Sequence, residues 1–265
     1  GEIYNVNPLS KEKINKGKLD IEVYEKIIDE LKEYLVLSIP YINGEPFLSK
    51  NLYRAVDYAS KNNVGTLIAS NRIIINDRNA KKILDSGLDF LKVHISGFSQ
   101  NVHSIEHRKG NVEIIKKNLE NISKLNSNGK YKCLIMLDYI HYKHNNHEIE
   151  IAKKIAEENN LIFNLRKGIV DGIEDIEGKE VKEDLPVNLP CPFLWSMLSI
   201  DWNNEIYPCC NYVMWGETKG YENFNNQTSV LDLWNSNKAK KMREIHLKEG
   251  RTPIPICAKC PQSSS

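Results

Sequence analysis

The chain has 265 residues, enough to bury one large α/β domain or a domain fragment with a small appendage. Its 36 basic residues balance 35 acidic ones, and the net charge of +1 gives no global field that would draw it to nucleic acid or an anionic membrane. Apolar runs such as Leu134 to Leu137 are strand-sized, far short of the ~20 residues that span a bilayer, and the start shows no basic segment followed by an apolar one. A reducing, cytoplasmic compartment is therefore expected, with neither membrane nor nucleic acid as a partner.

From residue 20 to about 165, apolar runs alternate with stretches of helical period. The pattern predicts a helix over Ile21 to Lys32 capped by Asp20, then a strand over Tyr34 to Ile39. A helix over Lys50 to Asn62 follows, with Ser49 as its cap, and then a strand over Gly65 to Ser70. Next come a helix over Asp77 to Ser86, with Asp77 as cap and Gly87 just past its end, and a strand over Leu91 to Ser96. A helix over Asn111 to Asn126 carries apolar positions 112, 114, 115, 119 and 122, a core-packing stripe. A strand over Tyr131 to Ile140, a helix over Glu148 to Asn159 and a strand over Leu161 to Leu165 complete the series.

Repeated βα units of this kind build a parallel sheet. The series opens on a helix with no strand before it and without an initiator Met, so a first strand is expected upstream of Gly1. Residues 171 to 190, rich in Glu, Asp, Gly and Pro, read as a linker. From 191 to 265 a small Cys-rich α+β module is expected. In it, strands over Met197 to Trp202 and Glu205 to Tyr207 join at Asn203-Asn204, and one helix runs from its Ser229 cap to Gly250. That helix carries Lys238, Lys240, Lys241 and Arg243, but Glu244 and Glu249 interrupt the charge and a solvated face is expected.

Five of the six cysteines lie from 191 onward, and Cys191, Cys209, Cys257 and Cys260 are spaced as a ligand set. Four thiolates take zinc or an iron-sulfur cluster, and spacing alone does not choose between them. Two disulfides are the lesser expectation in a reducing compartment. Cys133, inside Lys-Cys-Leu-Ile-Met-Leu, reads as a buried, inert thiol.

Polar residues also gather where the strands end, at the carboxyl edge where parallel α/β folds place ligands. Gly44-Glu45-Pro46 follows the first strand, Ser70-Asn71 the second and Ser96-Gly97 the third, so Glu45, Asn71 and Ser96 can converge on a polar ligand. Arg166 ends the last strand. It is either a solvated surface arginine or a substrate-facing cation and proton-transfer partner.

Taken together, these residues resemble a known family. The run Leu-Ser-Ile-Pro-Tyr-Ile-Asn-Gly-Glu-Pro-Phe-Leu, then Ala-Ser-Asn-Arg, Val-His-Ile-Ser-Gly and Glu-His-Arg-Lys-Gly, is similar to the core of radical S-adenosylmethionine (SAM) enzymes over residues 20 to 170. The end, from Cys-Pro-Phe-Leu-Trp through Tyr-Pro-Cys-Cys and Asp-Leu-Trp-Asn-Ser to Cys-Ala-Lys-Cys, resembles the SPASM or twitch domains that follow that core. With a single Cys quartet, it is most like the 2-deoxy-scyllo-inosamine dehydrogenase type.

The resemblance implies an α/β fold: a partial (βα)6 TIM-like barrel over 1 to 170, lacking its first strand and cluster loop, then the twitch/SPASM module. It implies that Gly44, Glu45 and Pro46 hold the methionyl amino group of SAM. Asn71 stands at the third-strand contact, with Ser-Asn-Arg in place of the family's Thr-Asn-Gly, and Ser96 is the ribose-side serine. Arg166 matches a substrate-facing arginine. Cys191, Cys209, Cys257 and Cys260 match the ligands of one auxiliary [4Fe-4S] cluster, with Cys210 a spectator. A 5′-deoxyadenosyl radical would take hydrogen from a small-molecule or peptide substrate, with a flavodoxin- or ferredoxin-type protein as external one-electron reductant. The Cys-x3-Cys-x2-Cys motif of a second, SAM-cleaving [4Fe-4S] cluster is absent from these residues and is expected upstream; the rival reading is a degenerate, non-enzymatic scaffold with a zinc or cluster site.

Overall fold

The computed structural model describes residues 17–42, 44–70, 75–107, 110–167, 189–215, 220–225, 227–258 and 260. Asn71 and nearly all of the expected linker lie outside the described residues. In chain order the first elements are α1 (Ile21–Leu31), β1 (Leu37–Ser38), α2 (Leu52–Lys61), β2 (Gly65–Ser70), α3 (Asp77–Asp85) and β3 (Phe90–Ile95). Then come α4 (Gln100–Glu106), α5 (Val112–Asn126), β4 (Leu134–His141), α6 (Ile149–Glu158) and β5 (Ile162–Lys167). Beyond residue 189 lie α7 (Phe193–Ser196), β6 (Ser199–Ile200), β7 (Glu205–Tyr207), α8 (Cys210–Trp215), β8 (Glu222–Asn223), α9 (Val230–Trp234), α10 (Asn237–Glu249) and α11 (Pro255–Ala258). Among the described residues no helix is long and apolar enough to cross a membrane.

The described residues form two compact units, one built on β1 to β5 with their helices, the other on α1 and the elements beyond residue 189. In the first, five parallel strands run in the order β1-β2-β3-β4-β5. Strand geometry sends alternate side chains to opposite faces. On one face Leu91, Val93, Ile95, Ile135, Leu137 and Tyr139 pack with Val112, Ile115, Leu119 and Ile122 of α5 in a single core. Register sets the other face, placing His94 beside Asp138 and Asp138 beside Asn164 across three strands.

Four local expectations change. Among the described residues strand β1 is only two residues long and pairs with β2, while Tyr34 and Val36 before it stay exposed. Asn51 rather than Ser49 precedes α2, since a 3-10 turn over Pro46–Leu48 uses Ser49 as its end. Asn76 rather than Asp77 caps α3, its side chain accepting from Asn79 N at 3.0 Å, and Asp77 becomes a first-turn acid beside the positive end of the helix dipole. Ile114 leaves the expected stripe of α5 and is exposed.

In the second unit β6, β7 and β8 form an antiparallel sheet, with Asn204 at φ +66° in the turn between the first two. Helix α1 supplies Val23, Ile27 and Leu31 to a core around Ile206, Phe224, Val230 and Leu233. Its Glu30 accepts from Ser229 Oγ and from Leu231 N. The single helix expected from Ser229 to Gly250 is two helices. Ser236 caps the second, accepting from Ala239 N at 3.3 Å, and Arg243 bridges the break by donating to Trp234 O at 2.6 Å. That arginine also donates to Leu194 O, so its charge is spent on the fold.

Candidate cofactor and metal sites

Gly44 has φ +87°, a left-handed conformation that an L side chain adopts only under strain, and it turns the chain into Glu45. Glu45 starts the 3-10 turn, and its carboxylate accepts from Phe47 N at 3.3 Å and from Ser70 Oγ at 3.0 Å. Ser70 is the last residue of β2, so the second strand end fixes the acid that follows the first. Tyr41 OH accepts from Ala69 N at 3.1 Å and ties the same two strand ends together.

At the end of β3, Ser96 is fully buried and its Oγ has no hydrogen-bond partner among the described residues. Leaving a buried polar group unmatched costs about 1–3 kcal/mol. Its neighbours are well satisfied: Asn145 donates to Ser96 O at 2.9 Å, and the Glu148 carboxylate accepts from Phe98 N and Ser99 N. Burial works against the Glu148 charge, yet the hydrogen bonds from Ser99 and Phe98 hold its pKa below the ordinary glutamate value. An orphaned hydroxyl in a loop so firmly held fits a ligand that brings its own hydroxyls, as the ribose of SAM does.

The open face of the sheet carries a cluster of which sequence reasoning found only Arg166. Asp138 is fully buried; His94 Nδ1 lies 2.6 Å from its Oδ2, Arg166 Nε donates to the same oxygen at 3.1 Å, and Asn164 donates to Oδ1. Lys92 Nζ stands 4.0 Å from Oδ1. Burial opposes the charge of Asp138, but the bonds from His94 and Asn164 and the nearby Arg166 cation hold it well below the usual carboxylate range. The signal was present in Phe-Leu-Lys-Val-His-Ile and Leu-Ile-Met-Leu-Asp: polar residues at alternate positions of otherwise apolar strands mark a two-faced sheet.

All four cysteines of the quartet lie in the second unit. Cys191 precedes α7, Cys209 precedes α8, Cys257 lies in α11 and Cys260 just beyond it. Burial pushes the Cys257 thiol up to about 12, and Cys209, Cys191 and Cys260 add to the rise. Cys209 is pushed up to about 11, first by burial and also by Cys210 and Cys260. The thiols are therefore within electrostatic reach of one another. Asn211, almost fully buried, donates to Cys260 Sγ at 3.1 Å, and Cys191 N donates to His246 Nδ1 at 3.2 Å. Among the described residues no three His, Cys, Asp or Glu side chains gather tightly enough to hold one metal ion. Four coupled thiolates of this kind suit either zinc or an iron-sulfur cluster. Cys133 is a buried thiol as expected, pushed up to about 12 mainly by that burial.

Residues 7–155 match the radical SAM superfamily, and residues 191–261 match the SPASM iron-sulfur cluster-binding domain. The chain belongs to the radical SAM superfamily, whose cofactors are SAM and a [4Fe-4S] cluster, and it carries the SPASM domain that adds auxiliary iron-sulfur clusters. Over 114 residues it is 27% identical to the mycofactocin maturase MftC of Mycolicibacterium smegmatis, covering 43% of this chain and 29% of that one. Its fold is similar to that of Streptococcus suis SuiB bound to the precursor peptide SuiA, with TM-score 0.62, 14% identity, and 90% of this chain and 64% of that one covered. It is also similar to BtrN in complex with AdoMet and 2-DOIA, with TM-score 0.56, 15% identity, and 95% and 84% of the two chains covered. The matched stretch spans under a third of the length of the curated relatives. None of the six cysteines falls in a Cys-x3-Cys-x2-Cys motif, so the residues present fit SAM and an auxiliary cluster rather than the SAM-cleaving cluster.

Proposed function

We propose that this protein is a radical SAM oxidoreductase or maturase that removes hydrogen from a substrate held on the open face of the sheet. When bound, SAM with its [4Fe-4S] cluster supplies a 5′-deoxyadenosyl radical that takes the hydrogen atom. The observation that carries the reading is the buried, unpartnered Ser96 hydroxyl on the same rim as the fixed Glu45 carboxylate. Glu45, following Gly44 and leading into Pro46, receives the methionyl ammonium. Ser96 meets the ribose hydroxyls, and Asn71, outside the described residues, is a further SAM contact. Arg166, anchored through Nε to Asp138 and with its side chain 41% exposed, faces substrate as a cation.

Cys191, Cys209, Cys257 and Cys260 hold one auxiliary [4Fe-4S] cluster, with Cys210 outside its ligand set. Four thiolates leave no iron open to substrate, so its role is to take the electron the substrate gives up. A flavodoxin- or ferredoxin-type donor supplies the first electron. Between a peptide and a small alcohol-bearing substrate, the maturase likeness and the peptide-bound SuiB fold favour the peptide. A cytoplasmic setting suits the open thiols.

The test is anaerobic reconstitution of the full reading frame with iron and sulfide, then SAM and dithionite. A brown protein that releases 5′-deoxyadenosine bears the proposal out. A colourless protein with stoichiometric zinc and no SAM cleavage supports the rival scaffold reading.

A further inference from the structure

On the open face of the sheet, His94 and Asp138 are arranged as a base and the acid that orients it. Asp138 is fully buried and ionised, so in the 2.6 Å contact its Oδ2 accepts and His94 Nδ1 carries the proton. Whenever the ring is neutral, its lone pair is then at Nε2. That atom has no hydrogen-bond partner among the described residues, and the side chain, on the face opposite the apolar core, is 16% exposed. Around the pair, β3 contributes Lys92, β5 contributes Asn164 and Arg166, and β2 brings apolar Ala69 alongside Lys92. A buried orienting carboxylate with the far edge of the imidazole left open is the layout of base and orienter in nucleophilic and acid–base sites.

We propose that His94 is the proton acceptor of the reaction on this face, with Asp138 as its positioning residue, and that its substrate group is a hydroxyl or amine on the carbon that loses hydrogen. This rests on the radical reading. In the step, the X–H bond of a H–C–X–H group breaks and its proton forms an N–H bond at Nε2, while the electron pair stays on X and closes a C=X bond. The carbon gives one hydrogen atom to the SAM-derived radical and one electron to the auxiliary iron-sulfur cluster, so H–C–X–H becomes C=X with one hydrogen atom, one proton and one electron accounted for.

Two measurements need no known substrate. Long-range nitrogen–proton NMR on the histidine rings should show His94 protonated at Nδ1 when neutral. Diethyl pyrocarbonate, which acylates an open imidazole lone pair, should modify His94 ahead of buried His103 and His246 in peptide mapping, with SAM bound as well as without it. Asp138→Asn should slow this at least about tenfold by releasing the tautomer. His94→Asn, which keeps a donor to Asp138 and lacks Nε2, should lose that adduct alone.

A proton on Nε2, an unreactive His94, full protection by SAM or an unchanged rate in Asp138→Asn each overturns the proposal. If the dyad reacts as described but the reconstituted protein makes no 5′-deoxyadenosine, the radical reading fails and takes the catalytic step with it. An unreactive dyad in a protein that does cleave SAM sinks the dyad alone.

Discussion

The Glu148 carboxylate accepts the Phe98 backbone N–H at 2.5 Å, so a residue at the foot of α6 fixes the loop that carries Ser96. Glu148 is 2% exposed, and replacing it by Gln puts an amide donor against backbone donors. Glu148→Gln should cost about 2–3 kcal/mol in urea unfolding and weaken SAM binding. The folded pKa lies below the unfolded one, so this stabilisation is present above the ordinary glutamate pKa and is lost as pH falls through the folded value. The variant should show a flatter acid limb of stability than the parent protein.

Gly97 is required for a steric reason. A Cβ there would come within 2.6 Å of Val102 Cγ1 and 2.8 Å of His103 N, where α4 crosses the loop. Gly97→Ala should therefore lower stability by about 1–3 kcal/mol, seen as a fall in Tm, and displace Ser96.

Cys209→Ala and Cys257→Ala should abolish the visible absorption and lower the iron content of anaerobically reconstituted protein, whereas Cys210→Ala should retain both. The free thiols of Cys209 and Cys257 sit at about 11 and 12, so loading displaces protons from them. Reconstitution should accordingly improve as pH rises, measured as iron bound per chain.

Asn211 donates to Cys260 Sγ, a bond that favours the more negative, reduced state of a cluster bound there. Asn211→Leu keeps the bulk and removes the donor. The reduction potential should fall by about 40 mV, one electron's equivalent of a hydrogen bond worth about 1 kcal/mol. A redox titration followed by electron paramagnetic resonance checks it, and an unchanged potential would place the cluster away from Cys260.

Much of the first unit was legible because local rules agree with the tertiary outcome there. Gly65–Ser70 forms the strand its composition predicts, and Asp20 caps α1 as expected. The breaks came where a neighbour decided. Residues 230 to 249 read as one helix only if Asn235-Ser236-Asn237 is passed over; Ser236 caps a new helix there, and Arg243 satisfies the carbonyl freed at Trp234. The cap residues were local, but nothing near Trp234 announces a partner nine residues further on.

Sequence alone determined the alternation of elements, the four clustered cysteines and the polar strand ends at Glu45, Ser96 and Arg166, because periodicity and spacing are properties of the chain itself. Only the tertiary structure decided that α1 packs with the second unit and that Asn145 and Glu148 hold the Ser96 loop. It alone placed Asp138 between His94, Asn164 and Arg166. Those side chains come from strands 26 to 44 positions apart, and parallel register, which depends on how crossover helices pack, is what puts them in one row.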